Sequence, residues 1–218
     1  MSRPEIIYIV GLQKTGIGSL STMFSKAGYK RTRTRKHSRM LKRILMERLT
    51  GKSPNLDLYF AGDTLFADWP APFLYREAYE RFGDRARYIL SMRSSPEKWL
   101  DSLKTHSLTF SAGQSKHQLI YGSKYPDGRE KEHIDYYNNH IKEVRKFFSE
   151  KHANHLLCET CIEDEASVQK MLEKLELGDA DLSREHRNTG KARLEKFSTR
   201  KVYNSLMIRM INSFRVNL

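Results

Sequence analysis

This 218-residue chain has only two cysteines and no long apolar run, and each of these features excludes some classes of protein. The two cysteines, Cys158 and Cys161, form one CETC spacing. A zinc site would need a second ligand pair, and His152 and His155 are the only candidates nearby. We therefore favour two half-buried thiols at a strand end. No run of about 18 apolar residues exists, so no transmembrane span is predicted.

The sequence also predicts no targeting signal and no low-complexity segment. The apolar run near the N-terminus, Ile6–Val10, is short and ends at Gly11, and no small-residue cleavage site follows it. We expect a cytoplasmic protein. Hydrophobic residues make up 39% of the chain, enough for a real core. The length and the absence of repeats predict one domain over residues 1–218.

Positive charge is the abundant feature, with a formal net charge of +13 and a pI near 9.7. It is concentrated in the segment 30–43, which is either a solvated surface or an insertion that steers anions and shapes the acceptor site. Aromatic side chains are not interleaved there, so no nucleic-acid partner is expected. The basic residues of the segment are Lys30, Arg31, Arg33, Arg35, Lys36, Arg39, Lys42 and Arg43.

Strand and helix patterns alternate along the chain, which predicts an α/β fold with a parallel sheet and helices on both faces. Short β-branched or apolar runs predict the strands, and apolar residues at helical spacing predict the helices. Segment 55–64 is interpreted as a loop or short strand, and the glycine-, serine- and lysine-rich segment 113–128 as a mobile loop beside the acceptor. The predicted strands are 6–10, 87–92 and 155–158, and the predicted helices are 19–27, 73–82, one from residue 96, 131–152, 165–175 and 194–214.

The first predicted strand leads into the sequence GLQKTGIGSL, at residues 11–20. A strand, a glycine-rich turn and a helix start form a cradle for an anion, because backbone N–H groups and the helix dipole attract negative charge. Nucleoside triphosphatases place Lys-Ser/Thr directly after the second glycine to hold the phosphates and magnesium. Here Ile17 and Gly18 stand at those positions and the lysine is Lys14, so a magnesium-triphosphate site is not favoured.

This loop resembles the 5'-phosphosulfate loop of the bacterial-type sulfotransferases that use 3'-phosphoadenosine-5'-phosphosulfate (PAPS). The usual form is close to G-x-P-K-[TS]-G-T-[TS]-[SL]-L; Gln13 replaces the proline, and Ile17 and Gly18 replace hydroxyl residues. The resemblance implies the P-loop-like sulfotransferase fold and a set of nucleotide-binding residues in the loop. These residues are Gly11, Gln13, Lys14, Thr15, Gly16, Ile17, Gly18, Ser19 and Leu20.

A second segment, residues 88–102, resembles the 3'-phosphate motif of the same family, in which a strand ends in arginine and a proline opens the next helix. The resemblance implies that Arg93 binds the phosphate through its planar fork, with Ser102 as the partnering serine. The spacing of nine residues is one longer than usual, so Ser94 or Ser95 is an alternative partner.

Two further segments resemble the family more loosely. Residues 66–90 resemble a stretch in which D-x-P precedes a helix and a strand, and residues 185–191 resemble a basic loop that closes over the nucleotide. The resemblance implies that Arg187, Gly190 and Lys191 contact the nucleotide.

The chemistry implied by the resemblance is in-line transfer of a sulfuryl group from PAPS, with 3'-phosphoadenosine-5'-phosphate (PAP) as product and no metal required. Lys14 would neutralise charge at the transferred group. The acceptor, a small molecule or a glycan, needs a base at its hydroxyl or amine. Asp68 is the first candidate base, ahead of Asp63 and His106, although Asp68 as a helix N-cap is an alternative.

Two other classes of function stay open. One is a small-molecule kinase on the same strand–loop–helix plan, which ATP turnover and magnesium dependence would reveal. The other is a non-catalytic protein that binds a nucleotide or a polyanion, including a sulfotransferase that no longer transfers. A steep salt dependence without chemistry would reveal the second class.

Overall fold

The computed structural model describes residues 3–31, 40–44, 46–47, 50, 52, 55–109, 117–177 and 198–215, with the side chains of 211–215 left undescribed. The chain divides into two compact units, one of Met1–Ser94 with Ile141–Glu185 and one of Ser95–His140 with His186–Leu218. One domain over residues 1–218 therefore stays a prediction. No helix in the described ranges is long and apolar enough to cross a membrane.

The first unit is built on a four-stranded parallel sheet, as predicted. Its strands are β1 (Ile6–Ile9), β2 (Leu65–Phe66), β3 (Ala86–Met92) and β4 (Leu157–Cys161). Their order is β2-β1-β3-β4, so β1 pairs with β2 on one side and β3 on the other. Since all strands are parallel, the residues that follow them share one edge of the sheet.

Successive side chains of a strand point to opposite faces of the sheet, so both faces present apolar residues, and helices cover both. Ile6 and Tyr8 of β1 join one buried cluster, whereas Ile7 and Ile9 join the other. The predicted three-layer α/β arrangement is confirmed. The described residues of the two units together contain the helices α1 (Ile17–Lys26), α2 (Asp57–Phe60), α3 (Tyr75–Phe82), α4 (Pro96–Ser107), α5 (His117–Tyr121), α6 (Glu130–Glu150), α7 (Glu165–Lys174) and α8 (Thr199–Arg215), of which α4, α5 and α8 belong to the second unit.

Local capping explains where several helices begin. The Ser95 hydroxyl accepts a hydrogen bond from the Lys98 N–H at 3.2 Å, and Pro96 stands in the first turn of α4. The Asp164 carboxylate likewise accepts from the Ala166 N–H at 3.1 Å and opens α7. α1 differs, because its N-cap is Gly16, which has no side chain.

The second unit is held by aromatic stacking and one buried amide. The rings of Trp99 and Tyr137 stack with centroids 4.7 Å apart. The buried Asn204 side chain on α8 accepts from the Tyr125 hydroxyl at 2.8 Å and donates to the Leu108 carbonyl at 3.0 Å. Because a buried amide must satisfy both of its ends, these bonds fix how α8 docks within this unit.

Some predicted boundaries were wrong. Segment 55–64 contains α2 rather than only loop or strand, and residues 71–73 form a separate 3-10 turn before α3. The predicted loop 113–128 contains α5, because His117 is buried and its ring packs 5.6 Å from that of Tyr121, one helical turn away. Residues 32–39 of the basic segment lie outside the described residues, as do 110–116.

Candidate active site

The predicted anion loop connects β1 to α1 at the carboxyl edge of the sheet. Lys14 has a φ of 73° and Gly16 a φ of 87°, so the backbone turns through the left-handed region twice within three residues. Such turns direct successive N–H groups toward a common concavity that suits anions. The first turn of α1 contains no acidic residue and its glycine N-cap supplies no side-chain acceptor. The helix start thus retains its positive end for a ligand.

The base of this loop is locked to β3. Gly11 lies two residues after the end of β1, and a Cβ there would lie 2.1 Å from the Ser91 hydroxyl and 2.5 Å from the Ser91 carbonyl oxygen. Only glycine fits at this distance. The Thr15 hydroxyl is buried, lies 2.7 Å from the Ser91 hydroxyl and donates to the Leu12 carbonyl at 2.6 Å. The loop is therefore anchored two residues before Arg93.

The other side of the loop rests on the segment that follows β4. A Cβ at Gly16 would lie 2.7 Å from the Cβ, Cγ1 and Cγ2 atoms of Ile162. Gly16 thus combines a positive φ with a close approach, and both properties require glycine. The loop is held between two neighbouring carboxyl-edge segments, which fixes its shape before any ligand binds.

At the carboxyl end of β3, Arg93 and Ser94 converge on the carboxylate of Glu163. The Arg93 Nη2 atom lies 2.7 Å from Glu163 Oε1. Glu163 Oε2 accepts from the Ser94 backbone N–H at 2.8 Å and from the Ser94 hydroxyl at 2.6 Å. The Ser95 hydroxyl instead caps α4. Of the serines considered as partners for Arg93, Ser94 is the one that shares a bound oxyanion with it.

Two candidate bases flank β2 along the chain, Asp68 after the strand and Asp63 before it. Asp68 is exposed, has a φ of 65°, and its carboxylate accepts from the Trp69 N–H at 2.9 Å. The helix caps that follow are Pro70 and Leu74, so Asp68 caps neither helix and the N-cap alternative fails. Asp63 is buried just before β2. From the basic segment, Arg31 donates to the Ala67 carbonyl at 2.9 Å, one residue from Asp68.

The third candidate base, His106, lies with Ser102 on α4 in the second unit. Its ring is 5.9 Å from that of His117. Burial, reinforced by the nearby charges of His106 and His133, lowers the pKa of His117 to about 3, so that imidazole is neutral at physiological pH. Burial also lowers the pKa of His133.

Some predicted site residues lie outside the described residues, and some site residues were not predicted. Arg187, Gly190 and Lys191 belong to the first group. Ser91 and Glu163 belong to the second. Their position directly at or after the carboxyl ends of β3 and β4 is the sequence signal that would have found them.

The cysteines and the remaining titratable groups form no metal site within the ranges described above: no three His, Cys, Asp or Glu side chains cluster there suitably for an ion. Cys158 and Cys161 are both free thiols of β4, and burial raises the pKa of the Cys158 thiol. A raised pKa keeps this thiol protonated and inert, as expected for a structural cysteine.

The fold and the carboxyl edge of its sheet define a class of protein: an α/β protein with a strand–loop–helix segment that is a candidate anion site, and an arginine directly after the adjacent strand. A family model described as "Sulfotransferase domain" matches residues 6–182. The match covers most of the chain, and the chain therefore belongs to the sulfotransferase-domain family. Membership supports a transferase that moves a sulfuryl group. The matched range ends before Arg187. A search of curated proteins found no significant match.

Proposed function

We propose that this protein transfers a sulfuryl group from PAPS to a hydroxyl or amine of a small-molecule or glycan acceptor, in the cytoplasm. The observation that carries the proposal is the hydrogen bond between Thr15 and Ser91, 2.7 Å long. It ties the anion loop after β1 to β3 two residues before Arg93. Two anion-binding features on adjacent strands suit a nucleotide with phosphates at both its 5' and 3' positions.

In the proposed reaction, the loop from Gly11 to Ser19 holds the 5'-phosphosulfate and Arg93 with Ser94 holds the 3'-phosphate. Lys14 neutralises charge that develops around the transferred group, which is where electrostatic catalysis is most effective. Asp68 accepts the proton of the acceptor as the new bond to sulfur forms. The bond from sulfur to the nucleotide phosphate breaks at the same time, and PAP leaves carrying the electron pair.

Asp68 suits the role of base by its place and its surroundings. Its side chain is exposed at the same sheet edge as the anion loop, and its carboxylate accepts a hydrogen bond from the Trp69 N–H at 2.9 Å. Exposure leaves an acceptor room to approach. Asp63 is buried and lies on the other side of β2 along the chain, so it is the second candidate.

A thermal-shift comparison tests the nucleotide part of the proposal. PAP at about 100 times its Kd should stabilise the protein by about 2.7 kcal/mol, and adenosine 5'-phosphate at the same concentration should stabilise it much less. Equal shifts from both ligands would show that the 3'-phosphate is not recognised. Magnesium-dependent ATP turnover would favour the kinase alternative instead.

Two alanine variants, Arg93→Ala and Arg145→Ala, test which side chain binds the 3'-phosphate. Arg93→Ala should weaken PAP binding by about 1.5–3 kcal/mol, the value of a hydrogen bond to a charged group, and leave adenosine 5'-phosphosulfate nearly unaffected. Arg145→Ala is the matched control, because Arg145 also pairs with a carboxylate, Glu159, at 2.6 Å. Equal weakening of both ligands by Arg93→Ala would make Arg93 structural.

Transfer itself is tested by incubating radiolabelled PAPS with candidate acceptors and detecting the sulfated product by its mass shift. Label that moves to an acceptor would establish the reaction. Binding of PAP without any transfer, across a wide set of alcohols, amines and glycans, would favour the non-catalytic alternative.

A further inference from the structure

The hydrogen-bond donors of Arg93 and Ser94, which directly follow β3, already bind an anionic side chain of the protein itself, that of Glu163. Donors of Arg93, Ser94 and Cys161 meet on the Glu163 carboxylate: the Arg93 guanidinium at 2.7 Å, the Ser94 N–H at 2.8 Å, the Ser94 hydroxyl at 2.6 Å and, at a longer distance of 4.0 Å, the Cys161 thiol. A planar cation, a backbone N–H and a hydroxyl are the donors that bind phosphate oxygens in proteins. Glu163 therefore occupies a complete oxyanion cradle.

A phosphate that takes the same hydrogen atoms of Arg93 and Ser94 competes directly with the Glu163 carboxylate, and two anions at this distance repel each other. If the 3'-phosphate binds these donors, Glu163 has to leave. The phosphate has the advantage of a higher charge and a third oxygen, so it can displace a single carboxylate.

The position of Glu163 allows it to leave. Its side chain is 27% exposed and that of Arg93 is 23% exposed, so the pair lies at the surface of the cradle rather than in the core. Glu163 stands in the short connection between Cys161, the last residue of β4, and Asp164, the N-cap of α7. A rotation of its side chain toward water breaks no helix or strand hydrogen bond.

We propose that Glu163 is an internal competitor for the nucleotide's 3'-phosphate, and that it sets the affinity and selectivity of this subsite. This inference rests on the proposed function. Glu163 keeps Arg93 and Ser94 in their binding arrangement before the nucleotide arrives and lowers net affinity for PAP, because its own contacts are lost on binding. A ligand without a phosphate at that position gains nothing from displacing it.

The alternative is that Glu163 stays in place and positions Arg93 for a phosphate bound elsewhere on its guanidinium. The two possibilities predict opposite signs for Glu163→Gln. Loss of a competitor strengthens PAP binding, whereas loss of a positioning contact weakens it. Glutamine keeps the size of the side chain, so the change is chiefly in charge.

The matched control is Glu159→Gln. Glu159 lies on β4 four residues earlier and is held by Arg145 through bonds of 2.8 and 2.6 Å, a pair with comparable geometry and somewhat greater exposure. This variant removes one negative charge, as Glu163→Gln does, from a position four residues earlier in the chain. Any effect of net charge on nucleotide attraction appears in both variants, and an effect of the cradle appears only in Glu163→Gln.

The experiment measures the Kd of PAP and of adenosine 5'-phosphate by calorimetry for the wild type, Glu163→Gln, Glu159→Gln, Arg93→Ala and Arg93→Ala/Glu163→Gln. We expect Glu163→Gln to bind PAP about tenfold or more tightly, since hydrogen bonds to charged groups are each worth about that factor. Adenosine 5'-phosphate should change little. In the Arg93→Ala background the gain from Glu163→Gln should be smaller, because Arg93 supplies one of the contacts for which the carboxylate and the phosphate compete.

Unchanged or weaker PAP binding in Glu163→Gln, with normal binding in the wild type, would overturn the inference and leave the proposed function standing. A gain of the same size in Glu159→Gln would also overturn it, as a general charge effect. If the folded wild type and every variant bind PAP no better than adenosine 5'-phosphate, the proposed function fails and this inference fails with it.

Discussion

Replacing Gly16 by alanine tests how tightly the anion loop is packed. Gly16 has a φ of 87°, and an added Cβ would lie 2.7 Å from three side-chain atoms of Ile162. Gly62 provides the control, because its φ is 80° and no atom lies within 4 Å of an added Cβ. The two variants share the backbone penalty and differ in the steric one.

The magnitudes separate the two variants. A left-handed backbone conformation destabilises the folded alanine variant by about 1–2 kcal/mol. Alanine also makes the unfolded chain less flexible, which offsets about 0.4–1 kcal/mol of this loss. Both terms apply at Gly16 and at Gly62. Overpacking costs about 1–3 kcal/mol more and applies only at Gly16. For a chain of this size each kcal/mol lowers Tm by about 2–4 °C, so Gly16→Ala should melt about 2–12 °C below Gly62→Ala.

Thermal unfolding followed by circular dichroism measures this difference, and the Kd for PAP shows whether the loop has moved. In an Ile162→Ala background Gly16→Ala should cost less stability than in the wild type, since two of the three close atoms are removed. Equal melting temperatures for Gly16→Ala and Gly62→Ala would refute the close packing of the loop against Ile162.

Three further predictions concern catalysis and pH. Lys14→Asn, which tolerates the φ of 73° at that position, should lower turnover more than PAP affinity, and an equal loss in both would place Lys14 in ground-state binding. Asp68→Asn keeps the acceptor for the Trp69 N–H and suits the φ of 65°, so it should fold and bind PAP but lose about a hundred- to ten-thousandfold in turnover; wild-type turnover would move the base to Asp63 or His106. The third prediction concerns His117, whose pKa is about 3 in the folded protein against a reference value of 6.5. Unfolding below pH 6.5 therefore takes up a proton, and the stability of the folded state decreases as the pH falls. Between pH 7 and 5 the wild type should lose about 2 kcal/mol more than His117→Gln in urea unfolding, whereas parallel curves would contradict the shift.

The amino-acid sequence by itself determined the architecture of the first unit and the place of its anion loop. The reason is that both depend on local pattern. Short apolar runs such as Ile6–Ile9 form buried parallel strands, and a strand, a glycine-rich turn and a helix start are contiguous in the chain. The position of Arg93 was likewise predictable, because it directly follows an apolar strand and precedes a proline-opened helix; its role in binding stays a prediction.

Contacts between distant segments were decided only by the tertiary structure. Thr15 meets Ser91 across 76 residues, and Glu163 reaches Ser94 across 69, and no local pattern encodes either pair. The same applies to α5, where the burial of His117 overrides a composition typical of loops. Sheet pairing sets which strand ends become neighbours, and that neighbourhood is what places a carboxylate from the end of β4 on the donors at the end of β3.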